Sequence, residues 1–388
     1  VGLVHQNRLV YAKGFGAADI ISGTPITPDS LFSVASVTKP FTSVAIMQLV
    51  QQGMIGLNEP IASVIPELYN LNSPGEEIEK INLFTLLTHT SGLPTNHVYP
   101  LNQSSTVIKK LDSLLSGLET QKLLFPPNTR EHYSNLGLNI AGIALERLSG
   151  MKYSDYVQEK VLSPIGMNNS SFKTEQSENL VTGYTGLLEA GRQPNEFLER
   201  GAAIGLPSAG LKTSVKDLAQ FLIWNFATLE GHNSRVLDSE TLAYMQRIHW
   251  AQLDFVLPSI IQKAVNRLSD SFDIGGAGLG FFRDGNLVMH GGGFDGYLSE
   301  IVLDRENEIG IIVLANSSDA PVRINSQYSI SANLLEIFAP GLADVEIEKH
   351  NDYSDYRNIY TEKNFFKYLA IPTKEGINLY DLLASKPM

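Results

Sequence analysis

The segment from Leu31 to Gln48, LFSVASVTKPFTSVAIMQ, constrains the chain most, because it opens an apolar helix with a serine and a lysine three positions apart. Apolar residues continue at helical spacing up to Gly53, and glycine is favoured just beyond a helix C-terminus. Pro40 fits only a first helical turn, since proline has no N–H and clashes with the carbonyl of the preceding turn. Ser36 is therefore predicted at the helix N-terminus, where free backbone N–H groups stabilise an anion.

Ser36 and Lys39 have the chemistry of a nucleophile and its base. Residues three apart on a helix are neighbours, so the Lys39 amine can reach the Ser36 hydroxyl. Serine needs a base to attack a carbonyl, and lysine serves as one when burial lowers its pKa. Apolar Phe32, Val34 and Phe41 surround the pair in sequence. An isolated S-x-x-K pair is common, however, and by itself it also fits a helix cap beside a surface lysine.

Two further segments carry polar side chains at the ends of predicted elements. A loop rich in proline and asparagine leads Tyr133 to Asn135 into a second apolar helix that ends at Gly150. His290 to Gly293 lie in strand-like sequence, and the Asp284-Gly285 turn before them predicts an antiparallel meander. Larger side chains in place of these glycines would block a substrate lying along the strand.

With these motifs in this order, the chain resembles the serine β-lactamase and penicillin-binding-protein superfamily. The resemblance is to its class C-like branch, which includes β-lactamases, D,D-carboxypeptidases, D-aminopeptidases and carboxylesterases. The stretches LFTLLTHTSGLP, YSNLGLNIAGIALERLSG and PSAGLKTSVKDLAQF are similar to the corresponding stretches of that family. The resemblance covers most of residues 1 to about 340.

The resemblance implies a role for each site residue. Ser36 would be the acylated nucleophile, Lys39 its base or proton shuttle, and Tyr133 the second acid/base residue. Asn135 would hold the substrate amide. The backbone N–H groups of Ser36 and Gly293 would form the oxyanion hole.

The third motif departs from the family's usual K-T-G and reads His290-Gly291-Gly292, as in variants among its peptidases and esterases. Histidine with an ordinary pKa is mostly neutral at pH about 7, so it attracts a substrate carboxylate less than lysine does. We therefore expect a serine hydrolase that acylates on a carboxyl ester or a D-amino-acid-containing peptide. The alternatives are a true β-lactamase and a non-catalytic penicillin-binding-like sensor or scaffold.

The element order predicts an α+β fold in which an antiparallel sheet flanked by helices receives an inserted, mostly helical domain. The resemblance implies a β-lactamase/transpeptidase-like architecture, with an α/β domain from residues 1–57 and 205–341 and a helical domain from residues 58–204. Residues 342–388 are predicted to be a linker and the start of a β-rich accessory domain. Because ligands favour domain interfaces, the site is expected in the cleft between the first two domains.

Composition excludes several function classes. The net charge of −12 disfavours nucleic acid and anionic membranes, which both require a basic surface. The sequence contains no run of about twenty apolar residues, so it predicts no membrane span. Without cysteine there are no disulfides or thiolate metal sites, and the eight histidines form no tight metal-binding pair. We expect no cofactor, no metal, and a small-molecule or short peptide substrate.

Several properties stay open at this level. The absence of cysteine fits export to the bacterial periplasm or medium, which we expect, and also fits the cytoplasm. The chain opens at Val1 inside an apparent hairpin, so a processed or trimmed N-terminus is expected. The oligomeric state is not predicted.

Four residues beside the motifs need separate interpretations. His89 in LTHTSGLP is interpreted as a buried loop anchor, and His132 as structural. Asp295 and Tyr297 either line the cleft or are ordinary strand-edge residues.

Overall fold

The structure is a computed structural model that describes residues 1–96, 111–172, 179–185, 193–194, 205–232, 235–251, 275–294, 296–317, 330–338, 368–373, 376–381 and 386–387. The strands in this part of the chain are β1 Gly2–His5, β2 Arg8–Ala12, β3 Ala17–Asp19, β4 Thr24–Pro25, β5 Phe32–Ser33, β6 Tyr184–Thr185, β7 Gln193–Pro194, β8 Lys212–Thr213, β9 Trp250–Ala251, β10 Gly276–Ala277, β11 Phe282–Asp284, β12 Leu287–Phe294, β13 Tyr297–Asp304, β14 Ile309–Ala315, β15 Tyr368–Thr373, β16 Gly376–Asp381 and β17 Lys386–Pro387.

The helices alternate with short 3₁₀ turns, and one π-helical segment, Gln158–Leu162, interrupts them. The α-helices are α1 Thr38–Gln51, α2 Gly75–Ile78, α3 Leu83–Leu87, α4 Asn135–Ser149, α5 Tyr153–Val157, α6 Ser163–Ile165, α7 Leu206–Ala209, α8 Val215–Leu229, α9 Ser239–Met245 and α10 Ile330–Phe338.

An eight-stranded antiparallel sheet with the order β2-β1-β14-β13-β12-β11-β10-β9 dominates the fold. The meander β11 to β14 contains the predicted turn, since β11 ends at Asp284 and β12 begins at Leu287. β1 and β2 come from the start of the chain and pair beside β14. The predicted α+β class, an antiparallel sheet flanked by helices, is confirmed.

Both faces of the sheet are covered, as the alternation of its strands requires. Val4 and Ile312 join the core that contains α1 and α8, whereas their neighbours Leu3 and Ile311 pack in a second core with α10. α1 is buried along nearly its whole length, which explains why its apolar residues are not confined to one face. It packs against α4 and α7, and the turn before it contacts β12 and β13.

The caps of α4 explain where the second motif lies. Ser134 is the N-cap, and its side chain accepts a hydrogen bond from the Gly137 N–H at 2.9 Å. Gly150 ends the helix with φ of 69°, in the left-handed conformation that glycine adopts at little cost. The helix therefore begins and ends where the sequence predicted.

The predicted domain boundaries remain a prediction. The described elements between residues 58 and 172 are helices and 3₁₀ turns. Within the predicted accessory segment, β15, β16 and β17 form a three-stranded antiparallel sheet of their own. In the part of the chain described, no helix combines the length and the apolar character that crossing a membrane requires.

Candidate active site

Ser36 lies in a 3₁₀ turn, Ala35–Val37, that leads directly into α1. Ala35 has φ of 45°, a left-handed conformation that is uncommon for a residue with a Cβ. The turn is fastened by Thr38, whose Oγ1 donates to the Ala35 carbonyl at 2.6 Å and accepts from the Leu211 N–H at 3.0 Å. Ser36 is half-buried although the residues on both sides of it are buried, so the turn presents its hydroxyl at the surface of the core.

Lys39 lies behind the serine and is completely buried. Its Nζ is 2.9 Å from Ser36 Oγ and donates to the Ser208 carbonyl, also at 2.9 Å. Burial lowers the pKa of Lys39 well below its usual value. Burial therefore favours the neutral amine, which can donate one N–H to Ser208 and direct its lone pair at the serine hydroxyl.

Tyr133 is brought to this pair by the loop that enters α4. The Lys39 Nζ lies 4.7 Å from the centre of the Tyr133 ring. The next residue, Ser134, fixes the loop, because its Oγ donates to the Pro94 carbonyl at 2.7 Å while it caps the helix. The structure thus brings Ser36, Lys39 and Tyr133 together.

His89 holds the Tyr133 loop from the other side. Its Nδ1 accepts a hydrogen bond from the Ser134 backbone N–H at 3.1 Å, and its carbonyl accepts from the His132 N–H at 2.8 Å. Its ring lies 4.5 Å from the Tyr133 ring, centre to centre. Burial, with smaller contributions from Lys39, His290 and His132, lowers the pKa of His89 well below 6.5. This geometry agrees with its interpretation as a loop anchor.

Asn135 begins α4 at the outer side of the site. Its Nδ2 donates to Asn96 Oδ1 at 2.9 Å, and its backbone N–H donates to the Thr95 carbonyl at 2.8 Å. The hydroxyl of Thr95 lies 3.0 Å from Nε2 of His132, which matches a structural role for that histidine. The Asn135 amide is therefore held in place by the loop that follows α3.

The glycines of β12 let this strand approach the nucleophile closely. A Cβ at Gly292 would lie 2.2 Å from the Val34 carbonyl oxygen and 3.2 Å from the Ser36 nitrogen, so no other residue fits without displacing the turn. Gly293 follows and is exposed. β12 pairs with β13 along its length but with β11 only as far as Met289. Among the described strands, residues 290–294 therefore have one edge without a partner strand.

His290 is buried, with only 2% of its surface exposed. Its Nδ1 lies 2.8 Å from the Gly291 carbonyl, and since a carbonyl only accepts, this nitrogen carries a hydrogen. The Phe282 ring packs against it at 5.4 Å between centres. His290 thus lies beside the other motifs but behind an aromatic ring.

Sequence reasoning missed two contributors. Ser208 acts through its backbone carbonyl, which its residue type does not reveal. Phe282 lies in GLGFFR, where two adjacent aromatics at the start of a strand indicate core. Tyr297, which had two interpretations, is buried and donates to the Val181 carbonyl at 2.6 Å, so it does not line the site. Asp295 lies outside the described residues.

The described residues contain no group of three or more His, Asp and Glu side chains that could hold a metal ion.

Comparison with known proteins places these motifs in context. The family model described as Beta-lactamase matches residues 1–332. Protein flp of Staphylococcus aureus is 26% identical over 335 residues, which cover 84% of this chain but only 59% of that protein. Penicillin-binding protein 4* of Bacillus subtilis is 25% identical over 333 residues, covering 80% of this chain and 66% of that protein. The chain thus spans less than two thirds of the length of these relatives.

Solved structures share the fold. The octameric penicillin-binding protein homologue from Pyrococcus abyssi superposes with a TM-score of 0.68 at 24% identity, covering 100% of this chain and 84% of that one. EstCE1, described as a hydrolase with promiscuous acyltransferase activity, gives a TM-score of 0.65 at 20% identity, covering 82% and 88%. At these identities the likeness establishes the fold alone.

Proposed function

Since the chain belongs to the beta-lactamase family, we propose that it is a serine hydrolase that forms an acyl-enzyme intermediate on Ser36. One observation carries the proposal: the amine of a completely buried Lys39 lies 2.9 Å from the Ser36 hydroxyl. A lysine is rarely buried in full without a partner of opposite charge, because the charged form loses its hydration. A base beside a nucleophile explains why this one is buried here.

The acylation step follows from the positions of these groups. Neutral Lys39 takes the Ser36 proton as the serine oxygen attacks the substrate carbonyl, and the oxyanion is bound by the N–H groups of Ser36 and Gly293. Tyr133, against whose ring the amine lies, relays the proton to the leaving group. The leaving group departs and the acyl group stays on Ser36 as an ester. Water then attacks that ester and regenerates the serine.

The proposed substrate is a carboxyl ester or a D-amino-acid-containing peptide. In place of the third-motif lysine, the chain has His290, whose Nδ1 hydrogen is already directed at the Gly291 carbonyl. The third motif therefore offers no permanent positive charge to a carboxylate, and a β-lactam ranks below the other two substrates.

Covalent labelling tests the proposal. The protein is incubated separately with a fluorophosphonate and a fluorescent penicillin, and adducts are located by mass spectrometry. We expect a single fluorophosphonate adduct on Ser36, loss of that adduct and of ester hydrolysis in Ser36→Ala, and no change in Ser63→Ala, which removes an exposed serine from a 3₁₀ turn. Ester hydrolysis that survives in purified Ser36→Ala would refute the mechanism. A folded protein that neither reagent labels would favour a non-catalytic sensor.

A further inference from the structure

Phe282 joins the aromatic rings of the site into one group. Its ring lies 5.4 Å from that of His290, 6.2 Å from that of His89 and 6.4 Å from that of Tyr133, and the last two are nearly parallel to it, at 18° and 22°. These four rings are called the aromatic cluster below. Phe282 is half-buried, so part of its surface is still open to a neighbour.

The aromatic cluster stands at the corner where the open edge of β12 begins. Phe282 is the first residue of β11 and pairs with Met289, the last residue of β12 to have a partner on that side. The following residues, 290–294, include the glycines beside Ser36. A substrate that lies along this edge while it acylates Ser36 would therefore pass the Phe282 ring.

Two basic residues of the described chain adjoin Phe282, and each of them bonds a backbone carbonyl. His290 is buried, and its Nδ1 hydrogen is directed at the Gly291 carbonyl. Arg283, the neighbour of Phe282, donates through Nε to the Gly285 carbonyl at 2.8 Å, so its guanidinium is drawn to the β11–β12 turn. A carboxylate placed against the Phe282 ring would lose hydration, and the ring itself offers it no positive charge or hydrogen-bond donor in return. An apolar group there would gain from burial against the ring.

We propose that Phe282 is a specificity-determining residue that favours an uncharged group over a carboxylate next to the scissile bond. The inference rests on the proposed function and narrows it, because it assigns the substrate class to uncharged esters or capped peptides rather than peptides that end in a free carboxylate. A lysine in the third motif would bind a substrate carboxylate, whereas this corner presents the Phe282 ring to the substrate.

A matched pair of substrates tests the inference. One is an N-acylglycyl ester of D-lactic acid, and the other is the same ester of D-lactamide, which differs only by an uncharged amide in place of the carboxylate. We expect the wild-type protein to show the higher kcat/KM with the lactamide ester. In Phe282→Ala this preference should fall by about tenfold or more, while Phe282→Leu, which keeps an apolar side chain, should retain most of it. Tyr69→Ala, which removes a half-exposed ring hydrogen-bonded to Glu79, is the control and should leave the ratio unchanged.

The outcomes separate this inference from the proposed function. If both esters are hydrolysed and the ratio of their kcat/KM values is the same in the wild type, Phe282→Leu and Phe282→Ala, the role of Phe282 is overturned. The proposed hydrolase function is then unaffected. If neither ester is hydrolysed, the comparison is repeated as labelling rates with an alkyl and a carboxyalkyl fluorophosphonate, where equal rates in all variants overturn the inference. A folded protein whose Ser36 reacts with neither fluorophosphonate overturns the proposed function and this inference with it.

Discussion

Lys39 combines complete burial with a titratable amine, and the two properties conflict energetically. In the folded protein its pKa lies well below 10.5, whereas in the unfolded chain it is ordinary. Between these two pKa values the unfolded chain binds one more proton than the folded protein, so this group destabilises the fold there and the penalty disappears as pH approaches 10.5. A base that is ready to accept a proton is therefore obtained at the expense of stability.

Replacing Lys39 by methionine should abolish turnover and raise the melting temperature. Lys39→Met keeps an unbranched side chain that is one atom shorter and uncharged, so we expect a higher Tm than the wild type at pH about 7 and a smaller difference near pH 10. Calorimetry across this range measures the difference. Lys39→Arg, which keeps a charge that cannot be lost, is the control and should lower the Tm. A Tm advantage of Lys39→Met that does not shrink with rising pH would contradict a neutral buried amine.

His89 offers a second test, because its two contacts with the Tyr133 loop can be removed separately. Asparagine places an oxygen near the position of Nδ1, so His89→Asn keeps an acceptor for the Ser134 N–H but loses the ring against Tyr133. Phenylalanine does the reverse. If His89 positions Tyr133, both variants should lower kcat more than they raise KM, and His89→Phe should be the less stable, since it leaves a buried N–H unpaired.

The pH dependence of kcat distinguishes a positioning role of His89 from a purely structural one, because a purely structural role would not change it. Its folded pKa lies below 6.5, so the unfolded chain binds the extra proton as pH falls past 6.5 and the fold loses stability. Burial opposes its protonation most, and Lys39, His290 and His132 add to that effect. In the folded protein the ring is protonated only well below pH 6.5, and a protonated ring cannot accept from the Ser134 N–H, so activity should fall at a lower pH than the one at which stability begins to fall. An acid limb of the kcat profile that is identical in wild type and His89→Asn would exclude this coupling.

At the scale of elements, the sequence predicts what depends on near neighbours. α1 and α4 follow from apolar periodicity and helix-end residues, and the turn at Asp284 follows from its turn residues. The pairing of β1 with β14 joins distant parts of the chain, so no local signal predicts it. The same distinction applies to the site. The three motifs can be recognised in the sequence, whereas the Ser208 carbonyl and the Phe282 ring reach the site only because distant segments pack together in the fold.

The packing of α4 on α7 is an element-scale feature that reaches the site. A Cβ at Gly142 would lie 2.2 Å from Cγ of Pro207, and Pro207 precedes the residue whose carbonyl accepts from Lys39. Because the proline ring is rigid, the two helices would have to separate. We expect Gly142→Ala to lower stability by about 1 to 3 kcal/mol and to reduce the acylation rate of Ser36.

A matched glycine provides the control for this prediction. Gly75 begins α2, and a Cβ added there would have no atom within 4 Å, so Gly75→Ala should leave stability and acylation nearly unchanged. Urea unfolding and the rate of fluorophosphonate labelling measure the two effects. A Gly142→Ala protein that matches Gly75→Ala in both would show that α7 can move without disturbing Lys39.

At the scale of the whole molecule, the site depends on a sheet whose strands come from both ends of residues 1–332, the region that the family model matches. Strands β1 and β2 pair on one side of β14, and β13 and β12 lie on the other, so the third motif is held by strands from both ends of residues 1–332. Among the described strands, β15 to β17 pair with one another and with no strand of the large sheet. The strands described within residues 342–388 therefore add nothing to the sheet that positions Ser36.

Deleting residues 342–388 should accordingly leave the catalytic rate nearly intact. Every proposed site residue lies between Ser36 and Gly293, and the described strands and helices that fix those residues all precede residue 342. The expected result is a folded protein with unchanged kcat/KM on a neutral ester and an unchanged rate of Ser36 labelling, measured against the full chain at the same concentration. A truncated protein that keeps its melting transition but loses labelling would show that the C-terminal segment reaches the site, and the domain assignment would have to be redrawn.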